Sequence, residues 1–157
     1  PEGSISIIDL SGGVENVTQA NVKTASFTPF NPLKKQLQRA QVRIFGPNAT
    51  VAQDLEPEYI AIGKDGKTAF VTLQENNAIA IVDIESAKVK RIKSLGYKWH
   101  VLPGNGLDAS DKDEGINIEN WPVAGMFQPD AIASYTVRGE TYYVTANEGD
   151  DLDYDGF

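Results

Sequence analysis

The chain has 157 residues, 41% of them hydrophobic, and a formal net charge of -8, enough for one domain core and too acidic for the basic stripe of a nucleic-acid binder. The absence of cysteine excludes a disulfide scaffold and a thiolate metal site. No apolar run reaches the roughly 18 to 20 residues of a membrane span.

In chain order, the first strand signal is "SISIIDL" at 4–10. It matches "AIAIVDI" at 78–84 position for position, with Asp9 standing where Asp83 stands, at an offset of 74. Two further matches share this period: "EPEYIA" from Glu56 with "QPDAIA" from Gln128, and "DGKTAFVTLQEN" from Asp65 with "RGETYYVTANEG" from Arg138. A rhythm of this kind marks a repeat architecture. Residues 1–24 read as the end of one unit. Residues 25–56 are an insertion with a short helix, for which Asn31 is the cap, Pro32 suits the first turn, and Leu33, Leu37 and Ala40 fall on one stripe.

The middle copy, 57–94, reads as four strands. Residues 58–63 and 68–74 flank the turn signal Asp65-Gly66-Lys67, residues 78–84 follow the turn at Asn76-Asn77, and 88–93 (KVKRIK) alternates like a half-exposed outer strand. Residues 95–127 are an acidic loop insertion, and 128–157 begin the next copy. A recurring four-stranded antiparallel unit predicts an all-β fold: a partial β-propeller of four-stranded blades with long inter-blade insertions. Only one blade is complete, so the expectation is a fragment of a larger chain whose remaining blades are its first partners.

The stretches "LEPEYIAIGKDGKTAFVTLQENNAIAIVDI", "LPGNGLDASDKD" and "QPDAIASYTVRGETYYVTANEGDDLDYDGF" together resemble the choice-of-anchor I family, and the first of them resembles its YVTN-type propeller repeat. The resemblance covers nearly the whole chain. It implies a long bacterial protein that is secreted, periplasmic or held at the cell surface, from a family often labelled alkaline-phosphatase-like. Where that family carries a basic residue before the terminal Asp155-Gly156-Phe157, this chain has Leu152.

Alternating strand directions would bring Glu58, Asp130, Glu75, Glu148, the run Asp108, Asp111, Asp113 and Glu114, and the run from Asp150 to Asp155 to one face. Like charges so gathered repel unless a cation or several donors compensate them. Calcium suits such oxygen-rich loops, and "DLDYDG" has the DxDxDG spacing of a tight calcium loop. The candidate metal ligands are Asp108, Asp111, Asp113, Glu148, Asp151, Asp153 and Asp155; a solvated acidic loop explains the same residues.

His100, the single histidine, beside Trp99, reads as a packed or exposed loop residue, or as a general acid or metal ligand. It joins Asp108 and Glu148 as catalytic candidates, with Ser110 as the one nominee for a nucleophile. No GxSxG, HExxH or phosphate-loop motif is present, and no further cofactor is indicated. Two function classes follow: a calcium-binding surface propeller that binds or scaffolds, and a metal-dependent phosphoesterase using the same face. Their partners would be a metal ion and a small phosphate ester or surface ligand, with no nucleic acid.

Overall fold

The structure, a computed structural model, describes residues 1–149; the run from Asp150 onward, including Asp151, Asp153 and Asp155, lies outside the described residues. Strands β1 (Ser4–Ile8) and β2 (Val22–Ser26) pair antiparallel. Two short helices follow, α1 (Lys34–Arg39) and α2 (Val51–Asp54). Then β3 (Ile60–Ile62), β4 (Thr68–Leu73), β5 (Ala78–Asp83) and β6 (Lys88–Ser94) form one antiparallel sheet in sequential order.

The second insertion is not a plain loop. It carries β7 (Tyr97–Trp99), β8 (Leu107–Asp108), β9 (Ile118–Glu119) and β10 (Ala124–Met126), with β7 paired to β10 and β8 to β9. The indole N–H of Trp121 donates to the carbonyl of Leu107 at 3.0 Å and closes the inner loop. Strands β11 (Pro129–Val137) and β12 (Glu140–Asn147) form the last hairpin.

The tight turns follow from local chemistry. Asp65 accepts from the backbone N–H groups of Lys67 and Thr68, and Asp83 accepts from Ser86. Asp9, the repeat partner of Asp83, accepts from Ser11. These side chains stand in for backbone acceptors in the turns. The bonds hold all three carboxyls below the usual range.

The helical insertion departs from its expected capping. Residues Thr28–Leu33 are a 3-10 helix containing Pro32, so α1 starts one residue after it. Of the expected stripe only Leu37 is buried. Asn31 does cap, but for the other helix: its Oδ1 accepts from the N–H of Ala52, 2.9 Å away in α2. Thr50 and Gln53 form a capping box there. The insertion instead buries Val42, Ile44, Val51, Ala52 and Leu55.

The two faces of the central sheet have different covers. Register places Ala69, Val71, Leu73, Ala78, Ala80, Val82 and Ile92 on one face. They join Ile5, Ala25 and Phe27 of the first hairpin region and the helical insertion in one apolar core. The opposite face carries Phe70 and Thr72. Phe70 packs on Tyr143 of β12, with ring centroids 3.9 Å apart, and the Thr72 hydroxyl donates to the carbonyl of Asp130 at 2.7 Å. Thus β1–β2 and β11–β12 lie on opposite sides of the sheet.

The repeat is not carried through at full register. Ile60 pairs with Val71, and the offsets of 72 and 73 place Ile132 opposite Val144; it pairs with Thr145 instead. The slip falls at an irregularity between Pro129 and Ile132. One residue of slip in a ladder reverses which side chains share a face.

Leu73 is fully buried in the main core. We expect Leu73→Ala to cost about 2–5 kcal/mol in denaturant unfolding; a loss near zero would show that the shared core does not hold the sheet.

Candidate functional site

The turn between β4 and β5 is where both insertions and the last hairpin meet. The N–H of Asn77 donates to the carbonyl of Gln74, closing the turn, and Asn77 adopts a positive φ of 51°, which asparagine tolerates better than most residues. Both Asn76 and Asn77 are fully buried. A buried carboxamide needs partners for its donors and its acceptor, and these two find theirs in different segments.

Asn76 serves the helical insertion. Its Nδ2 donates to the carbonyls of Arg43 and Asp54, both at 2.9 Å, and to Oδ2 of Asp54 at 3.2 Å. Its Oδ1 accepts from the N–H of Glu56 at 3.2 Å. Asp54 in turn accepts from the N–H groups of Phe45 and Gly46. Gly46 must be small, because a Cβ there would stand 2.5 Å from Oδ1 of Asp54. Asn77 serves the second insertion: its Nδ2 donates to the carbonyl of Gly96 at 2.7 Å, and its Oδ1 accepts from the N–H groups of Phe127 and Gln128 at 3.0 and 3.2 Å.

These bonds gather carboxylates. Thr72 accepts from the N–H of Tyr59 through its hydroxyl and donates to Asp130, so the starts of β3 and β11 are drawn to one point. Glu56 and Glu58 are exposed, yet partial desolvation lifts the carboxyl of Glu56 above the usual range, with the charges of Glu75, Glu58 and Asp54 adding to the effect. Partial desolvation likewise lifts Glu58, and Glu75 and Asp130 add to it. Oε2 of Glu75 is buried without a hydrogen-bond partner, and so is Nε2 of Gln128, which is 5% exposed. Arg43 is the cation at this junction, donating through Nη1 to the carbonyl of Glu75 at 3.2 Å.

Part of the acidic face inferred from sequence is therefore assembled: Glu58, Glu75 and Asp130 are neighbours. Glu148 is exposed, its N–H donating to the carbonyl of Gln128 at 3.3 Å. Asp108, Asp111 and Asp113 are not among the charges that act on Glu56 or Glu58. Asp108 accepts from the N–H groups of Ser110 and Asn117, and Asp113 from Gly115. Among the described residues no three acidic or histidine side chains form a group able to hold a metal ion. The described calcium candidates thus do not make a cage by themselves, and Asp151, Asp153 and Asp155 lie outside the described residues.

His100 is held to its own loop through one ring nitrogen. Its Nδ1 lies 2.7 Å from the carbonyl of Asn105, and its backbone carbonyl accepts from Nδ2 of Asn120. The Ser110 hydroxyl accepts from the N–H of Lys112.

A family model for the choice-of-anchor I domain matches residues 1–157. The chain belongs to the choice-of-anchor I family. Membership makes this a domain of a surface-associated or secreted protein, and no described helix is long and apolar enough to cross a membrane. No curated protein and no solved structure matches the chain.

Two outcomes are expected of this choice-of-anchor I domain. Asn77→Gly keeps the turn but removes the carboxamide, so the Phe127 and Gln128 amides should exchange with solvent at least tenfold faster, about 1.4 kcal/mol of lost protection; unchanged exchange would refute the tether. Glu56 and Glu58 hold protons more tightly when folded, so their contribution favours folding at low pH and disappears as pH rises from the ordinary glutamate value through the raised one. Glu75→Gln should lower the titration midpoints of both, read by NMR; midpoints that stay put would show that Glu75 is not their neighbour.

Proposed function

We propose that this domain is a stretch of a surface propeller that acts as a binding scaffold, with the β3–β6 sheet as a complete blade. The observation that carries the reading is the way the flanking sheets are stacked. On one face β2 packs against β6, the outermost strand; on the other, β11 packs against β3 and β4, the innermost pair. Outer strands meet outer strands and inner strands meet inner ones. Sheets arranged around a common axis would stack in this manner.

Exposed apolar positions support the same reading. Ile60 and Ile62 share the face of Val71 and Ala69 yet are 43% and 46% exposed, because the β1–β2 pair covers only the outer part of that face. On the last hairpin, Tyr135, Val137, Tyr142 and Val144 are all about half exposed, and Tyr135 stacks on Tyr142. Apolar sheet faces of this extent are normally covered by another layer, here by further blades of the same polypeptide.

The phosphoesterase reading has no comparable support. Among the described residues no cationic cluster stands beside the Glu56, Glu58, Glu75 and Asp130 group to clamp a phosphoryl oxygen.

In the intact polypeptide, Val144→Glu should lower the melting temperature by several degrees, because it places a charge against the next sheet. A wild-type melting temperature in that variant would mean that this face is bare and the stacked-blade reading is wrong.

A further inference from the structure

We propose that Asn48 is a site of N-linked glycosylation, the acceptor for a sugar chain delivered on a phosphate-linked carrier during export. The proposal adds a covalent modification to the surface-associated role and does not depend on how many sheets stack. The chain holds two Asn-x-Thr triplets, Asn16-Val17-Thr18 and Asn48-Ala49-Thr50. Such a triplet is an acceptor signal in a secreted protein when it stands on a surface loop. Both asparagines are exposed, so exposure does not separate them; their bonding does.

The first triplet is engaged with its own fold. Nδ2 of Asn16, the atom that would take the sugar, donates to the carbonyl of Gly12 at 2.7 Å and to Oε1 of Glu15 at 3.3 Å. The Thr18 hydroxyl donates to Oδ1 of Asn21 at 2.9 Å and is spent on the turn that follows.

The second triplet is presented. The N–H of Ala49 donates to the carbonyl of Gly46 at 3.1 Å, closing a four-residue turn with Pro47 second and Asn48 third. Asn48 has a φ of 59°, and these are the positions that a type II turn gives to proline and to glycine or asparagine. Pro47 is exposed as well, and among the described residues nothing bonds the Asn48 carboxamide. The turn is held from behind: Asp54 accepts from the N–H of Gly46, and Lys34 donates to the carbonyl of Ala49, each at 2.6 Å. The Thr50 hydroxyl oxygen accepts from the N–H of Gln53 as the cap of α2, which leaves its proton for a transferase to read. The segment belongs to the helical insertion and to no strand, so it lies on neither stacking face of the sheet.

In the transfer, Nδ2 of Asn48 bonds to the anomeric carbon of the sugar. The bond from that carbon to the carrier phosphate breaks, its electron pair leaves with the phosphate, and one Nδ2 proton passes to a base of the transferase.

The test is mass spectrometry of the intact polypeptide recovered from the surface or medium of its native host. The tryptic peptide 44–64 should carry a sugar mass, with occupancy several-fold above that of the peptide containing Asn16. Asn48→Asp, which tolerates the same φ, should remove it. Thr50→Asp keeps a cap on α2 but breaks the triplet, so it should remove the sugar with the melting temperature held, whereas Thr50→Ser should retain both. An unmodified 44–64 peptide in exported protein would overturn the proposal, and so would a sugar that persists in Thr50→Asp. Modification of Asn16 alone, or of both sites equally, would overturn the selection argued from the two bonding patterns. Each result is independent of the Val144→Glu measurement.

Discussion

The structure depends on two adjacent carboxamides sealed inside a four-residue turn. Asn76 and Asn77 sit where β4 hands over to β5, and their side chains reach in different directions, one to the helical insertion and one to the approach to β11. A sheet alone would leave two long insertions tethered only at their ends. Buried amides with every partner supplied by a different segment turn that freedom into a fixed arrangement, since leaving any of those groups unpaired costs about 1–3 kcal/mol.

The arrangement has an electrostatic consequence. Pinning Glu56 through Asn76, and Tyr59 and Asp130 through Thr72, crowds carboxylates around Glu75. Elsewhere the acidic side chains work in favour of folding: Asp9, Asp65 and Asp83 accept turn N–H groups, and their carboxyls lie below the usual range. The same residue types therefore stabilise three turns and repel one another beside the β4–β5 turn. The excess negative charge contrasts with the cationic strand β6 at the far edge of the sheet from β3.

Much of the strand architecture was legible because it rests on short-range patterns. The patterns in 78–84 and 88–93, the Asp-Gly turn at 65–66 and the repeat offsets locate the central sheet, and the family resemblance agrees with the family found. Elements governed by distant partners were not legible. Asn31 looks like a cap for the helix that follows it, yet its acceptor goes to Ala52, 21 residues on. The Thr50–Gln53 capping box, by contrast, has the i, i+3 spacing of a local signal. Asn76 and Asn77 read as ordinary turn residues, because nothing local reveals that a turn will be buried. For the site, the meeting of Glu58, Glu75 and Asp130 follows from strand direction, whereas that of Glu56 and Asp54 does not, since their placement depends on Asn76. In the 108–117 loop, Asp108 and Asp113 accept from backbone N–H groups of their own loop.

The central claim is that the paired asparagines are structural ties and remain engaged as long as the fold persists. The most direct measurement is solvent exchange of their side-chain Nδ2 protons by NMR. The account predicts exchange for both that is slowed to the rate of the protected β4 and β5 amides. Exchange at the speed of a free carboxamide, with those backbone amides still protected, would contradict it.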